Sequence, residues 1–283
     1  MNVPESILHR AKHLNTFVWS AAEKLQRSFA LYSQAESLLL AELGLDKLDL
    51  SRSLSFEAPY SDTKEAARID AEYFAGDPLK GWHSPYPTKP LKKLTIKIES
   101  GLTPAASEYS EEDSRDGTPI LKVGGLVSKG EISWLGDRTQ KDLRSSKTSK
   151  GLCGARDVFV LSAGHHVRYI GKSGMLWEAP EGREVCRYVG ELIRIQCSDQ
   201  LLPEFLTVYL NLPPVLRSIQ RLVRGMSAHL YPQDLAALKV PVVEKILQNQ
   251  VARLLEESHN ARKESKRLID EAVRLVEEAM LGQ

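Results

Sequence analysis

The stretch from Arg224 to Ser258 reads RGMSAHLYPQDLAALKVPVVEKILQNQVARLLEES. It starts as a loop-like run of Gly, small and polar residues, passes through Val240-Pro241, and continues as a charged helical pattern. From Leu247 to Ala279 an apolar or small residue recurs in alternating steps of four and three. This spacing predicts a helix over about residues 244–281, and its apolar stripe needs a partner helix.

The first segment of the chain supplies such a partner. The same alternation runs from Ile7 to Leu39, with Pro4 near its start and Gly44 at its end, which predicts a helix over about residues 4–43. Each helix is about 60 Å long at 1.5 Å per residue. We therefore expect two long antiparallel coiled-coil helices, although two helices of a compact bundle would also fit. The predicted interface includes Leu14, Ala21, Leu25, Leu39, Leu254, Ala261, Leu268 and Leu275.

The middle of the chain has a mixed pattern. Ser61-Asp62-Thr63 and Gly76 predict a helix over residues 63–75, and two further helices are expected at 203–212 and 214–223. Short strand-like runs, separated by Gly, Pro, Ser and Asp, are expected at 94–98, 120–123, 157–161, 166–170 and 192–196. The fold class is therefore α/β, with helical segments at 1–44 and 241–283 around a globular domain at 45–240 whose core we expect to lie within those limits.

Composition excludes several classes of protein. The 283 residues are 42% hydrophobic and 27% charged, and 38 Lys+Arg against 37 Asp+Glu give a net charge of +1. Any nucleic-acid site must therefore come from local charge. No apolar run suits a membrane helix or a signal peptide. Cys153, Cys186 and Cys197 form no C-x-x-C motif, which indicates a cytoplasmic protein without a disulfide framework or a zinc site.

Three local motifs suggest chemistry but match it poorly. Gly171-Lys172-Ser173 resembles the end of a phosphate loop, but six residues instead of four separate Gly164 from Gly171, and a poor helix follows. NLPPV at 211–215 lacks the aromatic residue of an adenine methyltransferase motif and is interpreted as a break between helices. His165-His166 would point to opposite faces of a strand and could not easily share one metal ion. The sequence thus predicts no cofactor, no metal and no catalytic residue.

Basic residues gather in two places. Lys141, Arg144, Lys147 and Lys150 share a Ser-rich loop, and Arg217, Arg221 and Arg224 follow helical spacing toward the opening stretch. Both groups suit phosphate contacts, and both could equally be solvated faces.

The order of these segments resembles the specificity (S) subunit of type I restriction–modification enzymes. RIDAEYF at 68–74 looks like the start of that family's target recognition domain. ESGLTPAASEY and DGTPILKVGGL resemble its G-x-T-P and P-x-L-R-x-G-x-I motifs, with Lys122 where Arg is usual. RDVFVLSAGHHVRYIGKSG looks like its G-D-V-L strand and Gly-rich hairpin, and GMSAHLYPQDLAALKVPVV followed by Gln248 resembles the end of the domain.

The sequence departs from the family pattern at three positions. Arg156 stands where Gly usually precedes the Asp, Val243 replaces a proline, and Lys245 breaks an acidic pair. The resemblance covers nearly the whole chain but only half of a usual S subunit, which has two recognition domains.

The resemblance implies a non-catalytic protein that binds double-stranded DNA and reads one half-site of a bipartite target. Its partners would be methyltransferase subunits and, through the complex, an endonuclease/translocase subunit. Either two copies pair, or a second S-type chain supplies the other half-site. The loops that the resemblance places near DNA contain Lys122, Lys147, Arg168, Lys172, Arg224, Ser227 and His229.

Two alternatives remain from the residues alone. A coiled-coil scaffold that binds only protein would show no salt-dependent DNA affinity. A nucleotide-dependent enzyme using Gly171-Lys172-Ser173 would bind ATP and lose that binding on Lys172→Ala.

Overall fold

The structure is a computed structural model of the chain. It describes residues 5–51, 55–110, 117–127, 130–132, 134, 143–144, 150–180, 183, 185–225 and 228–280.

Two long helices, α1 (Glu5–Glu42) and α7 (Lys245–Met280), pack against each other along their length. Ser28 contacts Ser258, and Ser265 contacts Ala21, so residue numbers rise on one helix as they fall on the other. The two helices are therefore antiparallel. The chain leaves α1 through Gly44, whose φ of +64° is a left-handed conformation that glycine adopts without strain.

Small residues line the centre of this helix pair. The Ser28 and Ser258 hydroxyl oxygens are 3.0 Å apart, and the Ser258 hydroxyl donates to the Ser28 carbonyl at 2.8 Å. About two turns further along α7, the Ser265 hydroxyl donates to the Ala21 carbonyl at 2.7 Å. Such bonds need close backbones, which the Ala and Ser side chains permit. The buried hydroxyls are thereby satisfied in this register.

The buried face of α1 is shifted from the predicted stripe. Ala21 and Leu39 are buried, as are Ala261 and Leu268 on α7, whereas Leu25 is 37% exposed. Leu25 lies on the flank because the small residues Ala21, Ser28 and Ala35, seven apart, occupy the line closest to α7. The remaining predicted interface residues are half-buried: Leu14, Leu254 and Leu275.

The middle of the chain is mixed α/β, as the sequence predicts. Its helices are α2 (Tyr60–Ala66), α3 (Ala71–Phe74), α4 (Pro203–Asn211), α5 (Pro213–Arg221) and α6 (Pro232–Ala237). Its strands are β1 (Thr88–Pro90), β2 (Thr95–Ser100), β3 (Ile120–Leu121), β4 (Leu126–Val127), β5 (Glu131–Ile132), β6 (Leu152–Cys153), β7 (Val158–Leu161), β8 (Ser173–Leu176), β9 (Cys186–Tyr188), β10 (Leu192–Cys197) and β11 (Lys239–Pro241).

Within the described residues, six strands form the main sheet in the order β2-β10-β7-β8-β5-β4. Its neighbours are antiparallel except for the parallel pair β5–β8. A smaller sheet has the order β3-β9-β6, and β1 pairs with β11. The β1–β11 pair brings the chain back to the start of α7.

Two predicted elements are wrong. The helix expected at 63–75 is split into α2 and α3, because Ala67 takes a left-handed conformation at φ 50° and the chain turns there. The strand expected at 166–170 is instead a 3-10 turn at Val167–Tyr169, with exposed side chains. Leu212 separates α4 from α5, so NLPPV is the helix break that was predicted.

The sequence predicted an apolar core within residues 45–240. In the structure the core extends beyond these limits into both long helices. The larger core includes Tyr32, Leu39 and Leu43 of α1 and Leu247, Val251 and Leu255 of α7, packed with α4, α5 and one face of the main sheet. A second core lies between the main sheet and the small sheet, around Phe159, Leu176 and Tyr188. The half of the helix pair nearer the sheets is therefore part of the globular body.

Candidate nucleic-acid interface

Two loops that carry predicted DNA contacts lie side by side. One joins β7 to β8 (residues 162–172), and the other follows α5 (residues 223–231). The Leu230 amide donates to the Ser162 carbonyl at 2.8 Å, and Ala163 bridges to His229. The Gln220 amide, from the end of α5, donates to the carbonyls of Arg168 and Ile170. These bonds hold four predicted DNA-binding residues on adjoining loops: Arg168, Lys172, Arg224 and His229.

In the first loop, two cations surround one exposed aromatic ring. Tyr169 is 41% exposed, and its ring centroid lies 4.7 Å from the Arg168 guanidinium carbon and 4.9 Å from the Lys172 ammonium. Arg168 also donates to the Tyr169 hydroxyl at 2.8 Å. The ring holds both cations near the surface, where they can meet a phosphate backbone.

The second loop repeats this arrangement around Tyr231. The Arg224 guanidinium lies 5.1 Å from the Tyr231 ring centroid, and the His229 ring stacks beside it at 6.3 Å. Arg224 also hydrogen-bonds and ion-pairs with Asp234, which raises the pKa of the guanidinium and partly neutralises its charge. Arg224 is thereby positioned, but it contributes less than a full charge to the surface. We call these two loops, with their cations and their exposed tyrosine rings, the basic–aromatic surface.

The other predicted contacts lie elsewhere or outside the described residues. Lys122 follows β3 in the small sheet, and its ammonium lies 5.1 Å from the Tyr109 ring centroid. Burial raises the pKa of the Tyr109 hydroxyl, with neighbouring Glu191 adding to the effect. Lys147 and Ser227 lie outside the described residues. Of the five predicted contacts that the structure describes, four therefore lie on the basic–aromatic surface, whereas Lys122 lies beside the small sheet.

The structure separates the two basic groups by role. Arg217 donates to the Leu50 carbonyl, and Arg221 forms an ion pair with Asp77 at 3.1 Å, so both tie the domain together. Arg144 and Lys150 are exposed, and Lys141 lies outside the described residues. Of the helical series 217, 221 and 224, only Arg224 reaches the basic–aromatic surface among the residues that the structure describes.

The RIDAEYF motif packs against the start of the loop that carries Arg224. This contact was not predicted from the sequence. Arg68 forms a salt bridge with Asp70 at 2.6 Å and donates to the carbonyls of Leu222 and Val223, just before Arg224. The hydrogen bonds from the Arg68 guanidinium hold the pKa of the Asp70 carboxyl below its usual range. The Tyr73 ring lies between the Arg68 and Arg221 guanidinium groups, 4.4 Å from each. The start of the domain thus anchors the loop that carries Arg224.

Gln248 performs a similar structural task at the start of α7. Its buried side chain accepts from the Leu202 amide at 2.8 Å and donates to the carbonyls of Gln200 and Val243. Three backbone groups from two segments are satisfied by one amide. The glutamine therefore fixes where the helix leaves the globular body.

The contacts of Arg156 explain how arginine can stand where the family pattern has glycine. It has a left-handed φ of 70°, the conformation that a glycine would adopt without strain. Its guanidinium makes two contacts with the buried carboxylate of Glu204, at 2.5 and 2.9 Å. The ion pair offsets the backbone strain, so arginine can occupy a glycine position here.

The segment Gly171-Lys172-Ser173 is not built as a phosphate loop. Gly171 turns the chain at φ 85°, and β8 follows it instead of a helix, so no helix N-terminus faces this turn. The Ser173 hydroxyl is buried and donates to the Thr207 carbonyl. Among the described residues, no group of three or more His, Cys, Asp and Glu side chains could hold a metal ion.

Comparison with solved structures identifies the fold. The crystal structure of the type I restriction–modification S subunit from M. genitalium matches with a TM-score of 0.54 at 14% identity, over 94% of this chain and 58% of that chain. The chain has the fold of a type I specificity subunit. The resemblance drawn from the motifs is thus confirmed for the fold.

Two further solved structures are similar to this chain at lower TM-scores. The HsdS subunit from Thermoanaerobacter tengcongensis has a TM-score of 0.45 at 12% identity, over 96% of this chain and 56% of that chain. A chain from a structure describing complex assembly and conformational transition of the type I R-M system has a TM-score of 0.46 at 12% identity, over 97% and 57%. This chain therefore spans a little over half the length of each.

No protein-family model and no curated protein matches the sequence. None of the described helices is both long enough and apolar enough to cross a membrane.

Proposed function

We propose that this chain is a DNA sequence-specificity subunit of a type I restriction–modification complex and that it reads one half-site. The observation that carries this proposal is the basic–aromatic surface on a specificity-subunit fold. Two loops that resemble separate family motifs are far apart in sequence, and backbone hydrogen bonds hold them together, with Arg168 and Arg224 exposed and Lys172 partly exposed.

The chemistry of this surface suits DNA. Arg168 and Lys172 offer charge to phosphates, which supplies affinity without sequence information. His229 offers a hydrogen-bonding group for base edges, which supplies specificity, and we propose Ser227 as a further contact. With a net charge of +1, the chain concentrates its attraction for DNA in such loops. Lys122 and Lys147 would add contacts from the small sheet and the Ser-rich loop.

The remaining parts follow from this function. Residues 45–240 act as the recognition domain, while residues 1–44 and 241–283 form a coiled-coil spacer that docks methyltransferase subunits. The endonuclease/translocase subunit joins through that complex, and the assembly works in the cytoplasm. The chain itself is not an enzyme and chooses the sequence on which its partners act. A second recognition domain comes from another copy or from a second S-type chain.

The geometry disfavours the nucleotide-dependent alternative, because Ser173 is buried in β8 and no helix follows Gly171. A protein-only scaffold would not need cations held over exposed tyrosines on adjoining loops.

The decisive experiment is purification of the chain with its partners from the native host, followed by methylome sequencing with and without the gene. We expect a methyltransferase to co-purify and a bipartite methylation motif to disappear when the gene is deleted. An unchanged methylome would contradict the proposed function.

A further inference from the structure

The recognition domain meets the helix pair at a compact polar and aromatic joint. Glu131 is the first residue of β5, and Trp177 follows β8, which pairs with β5 in the main sheet. On α7, His259 and Arg262 are three residues apart, and both lie beside the Glu131 carboxylate. We call these four residues the sheet–helix joint.

Contacts within the joint are close and shielded from water. The Trp177 and His259 rings stack with centroids 4.4 Å apart and planes 12° from parallel. One carboxylate oxygen of Glu131 lies 3.5 Å from His259 Nδ1 and 3.4 Å from Arg262 Nη1. All three side chains are 14–17% exposed, so these interactions are screened far less than surface pairs.

The first helix closes the joint from the other side. Gly130, with φ 76°, lies so close to Tyr32 of α1 that a Cβ would sit 2.7 Å from the Tyr32 ring. Phe29 of α1 also lies under the Arg262 guanidinium, 5.7 Å from it. Both long helices and two strands therefore meet at one point.

The joint lies far from the free end of the helix pair, so a small rotation at the joint moves that end by a large distance. Lys263 still pairs with Glu178 after β8, whereas Ser265 contacts Ala21 of α1, from where the two helices continue together. About 25 Å of helix lies between Lys263 and Met280 at 1.5 Å per residue. A rotation of about 10° at the joint would move the far end by about 4 Å, which exceeds the roughly 3.4 Å rise of one base pair.

We propose that Glu131, Trp177, His259 and Arg262 are positioning residues that set the angle between recognition domain and spacer, and thereby the number of base pairs between the two half-sites. This inference rests on the proposed function. The four residues need not touch DNA, so they control spacing without controlling which bases are read.

The first test measures spacing preference. The purified complex with its methyltransferase is offered DNA in which the two half-sites are separated by spacers that differ in steps of one base pair. For Glu131→Gln combined with Trp177→Leu, we expect methylation at the neighbouring spacings to rise at least about fivefold relative to the preferred spacing. The bases required within each half-site should stay the same.

Two matched variants sharpen this measurement. Lys263→Ala removes the exposed ion pair with Glu178 on the same face of α7 and should leave the spacing ratio within about twofold, because such exposed pairs contribute little. Glu131→Gln alone keeps the side-chain volume and serves if the double variant folds poorly. The proposal is overturned if either joint variant folds and still shows the parent ratio of methylation at neighbouring spacings to methylation at the preferred spacing.

The second test uses the chain without DNA. Spin labels on genetically encoded keto amino acids at Lys97 of β2 and Glu277 of α7 leave the native cysteines untouched. We expect a narrow distance distribution in the parent chain and one at least twofold broader in the joint variant. If the joint variant has the same distance distribution as the parent chain, the proposed role of the joint is overturned, whatever the result with DNA. If the parent complex methylates no specific sequence, only the proposed function is contradicted.

Discussion

At the scale of single residues, cations on the basic–aromatic surface are separated from cations that hold the fold. Arg168 and Lys172 surround an exposed tyrosine, whereas Arg68 and Arg221 surround the partly buried Tyr73 and bond to the backbone. The same residue type therefore has two roles, and only its neighbours distinguish them.

This separation predicts the salt dependence of DNA binding. Replacing Arg168 and Lys172 together with Ala should weaken binding and reduce the log–log salt slope by about two units, one for each lost phosphate contact. Fluorescence anisotropy across a salt series measures it. Lys266→Ala, exposed on α7, is the control and should leave the slope unchanged. An identical slope for the double variant would remove both residues from the phosphate contacts.

Lys147 and Arg224 form a second pair for the same measurement. Their combined replacement by Ala should flatten the slope by up to about two units. Since Asp234 already neutralises part of the Arg224 charge, the smaller share of that change belongs to Arg224.

Arg156 and Glu204 allow a stability test at one strained position. Arg156→Gly removes a left-handed strain of about 1–2 kcal/mol but leaves the buried Glu204 carboxylate without its cation. We expect a net loss of about 1–2 kcal/mol in the free energy of unfolding, most of which returns on adding Glu204→Gln. Denaturant unfolding measures all three variants. A more stable Arg156→Gly would show that strain exceeds the ion pair.

At the scale of elements, the parallel pair β5–β8 leaves no room at Gly174. A Cβ there would sit 2.6 Å from the Glu131 backbone, so Gly174→Ala must push the two strands apart. We expect a loss of about 1–3 kcal/mol. Gly154→Ala is the matched control, because a Cβ at Gly154 meets nothing within 4 Å. Equal unfolding midpoints for the two variants would refute this account of the strand pair.

The helix pair is the second element with a clear prediction. Ala21 and Ala261 are 1% and 8% exposed, so Ala21→Asp combined with Ala261→Asp buries two carboxylates without cations, at a cost of several kcal/mol. We expect a lower helix melting temperature by circular dichroism and loss of the methyltransferase in a pull-down. The globular body should stay folded, since the part of the pair that joins its core includes Leu39 and Val251 instead.

Ala22→Asp with Asn260→Asp places the added charges on exposed positions of the same helices and controls for charge alone. If the buried double variant keeps the parent melting temperature and still recruits the methyltransferase fully, Ala21 and Ala261 do not lie in the contact between the two helices.

At the scale of the whole molecule, the proposed function assigns the domain at residues 45–240 one half of a bipartite site. Two copies related by a two-fold axis would read the same half-site on opposite strands, which gives a palindromic target with a fixed spacing. Methylome sequencing of a complex that contains only this specificity chain measures it. A single non-palindromic bipartite motif from that complex would contradict pairing of two copies.

Local sequence pattern determined a large part of this structure. The long helices are readable because one side-chain type recurs at a helical period over many turns, and four of the five predicted strands contain or overlap the observed ones: β2, β3, β7 and β10. The motifs of the loops, met in their order along the chain, were enough to indicate the specificity-subunit fold.

Only the tertiary structure decided which polar residues are free to act. Arg68, Arg217 and Gln248 look as available in sequence as Arg168, yet each satisfies backbone carbonyls or amides from distant segments. The sheet–helix joint was equally invisible, because Glu131, Trp177 and His259 lie far apart along the chain. Periodicity reports which face of an element is buried, whereas the partner of a side chain depends on contacts between elements, which no local pattern encodes.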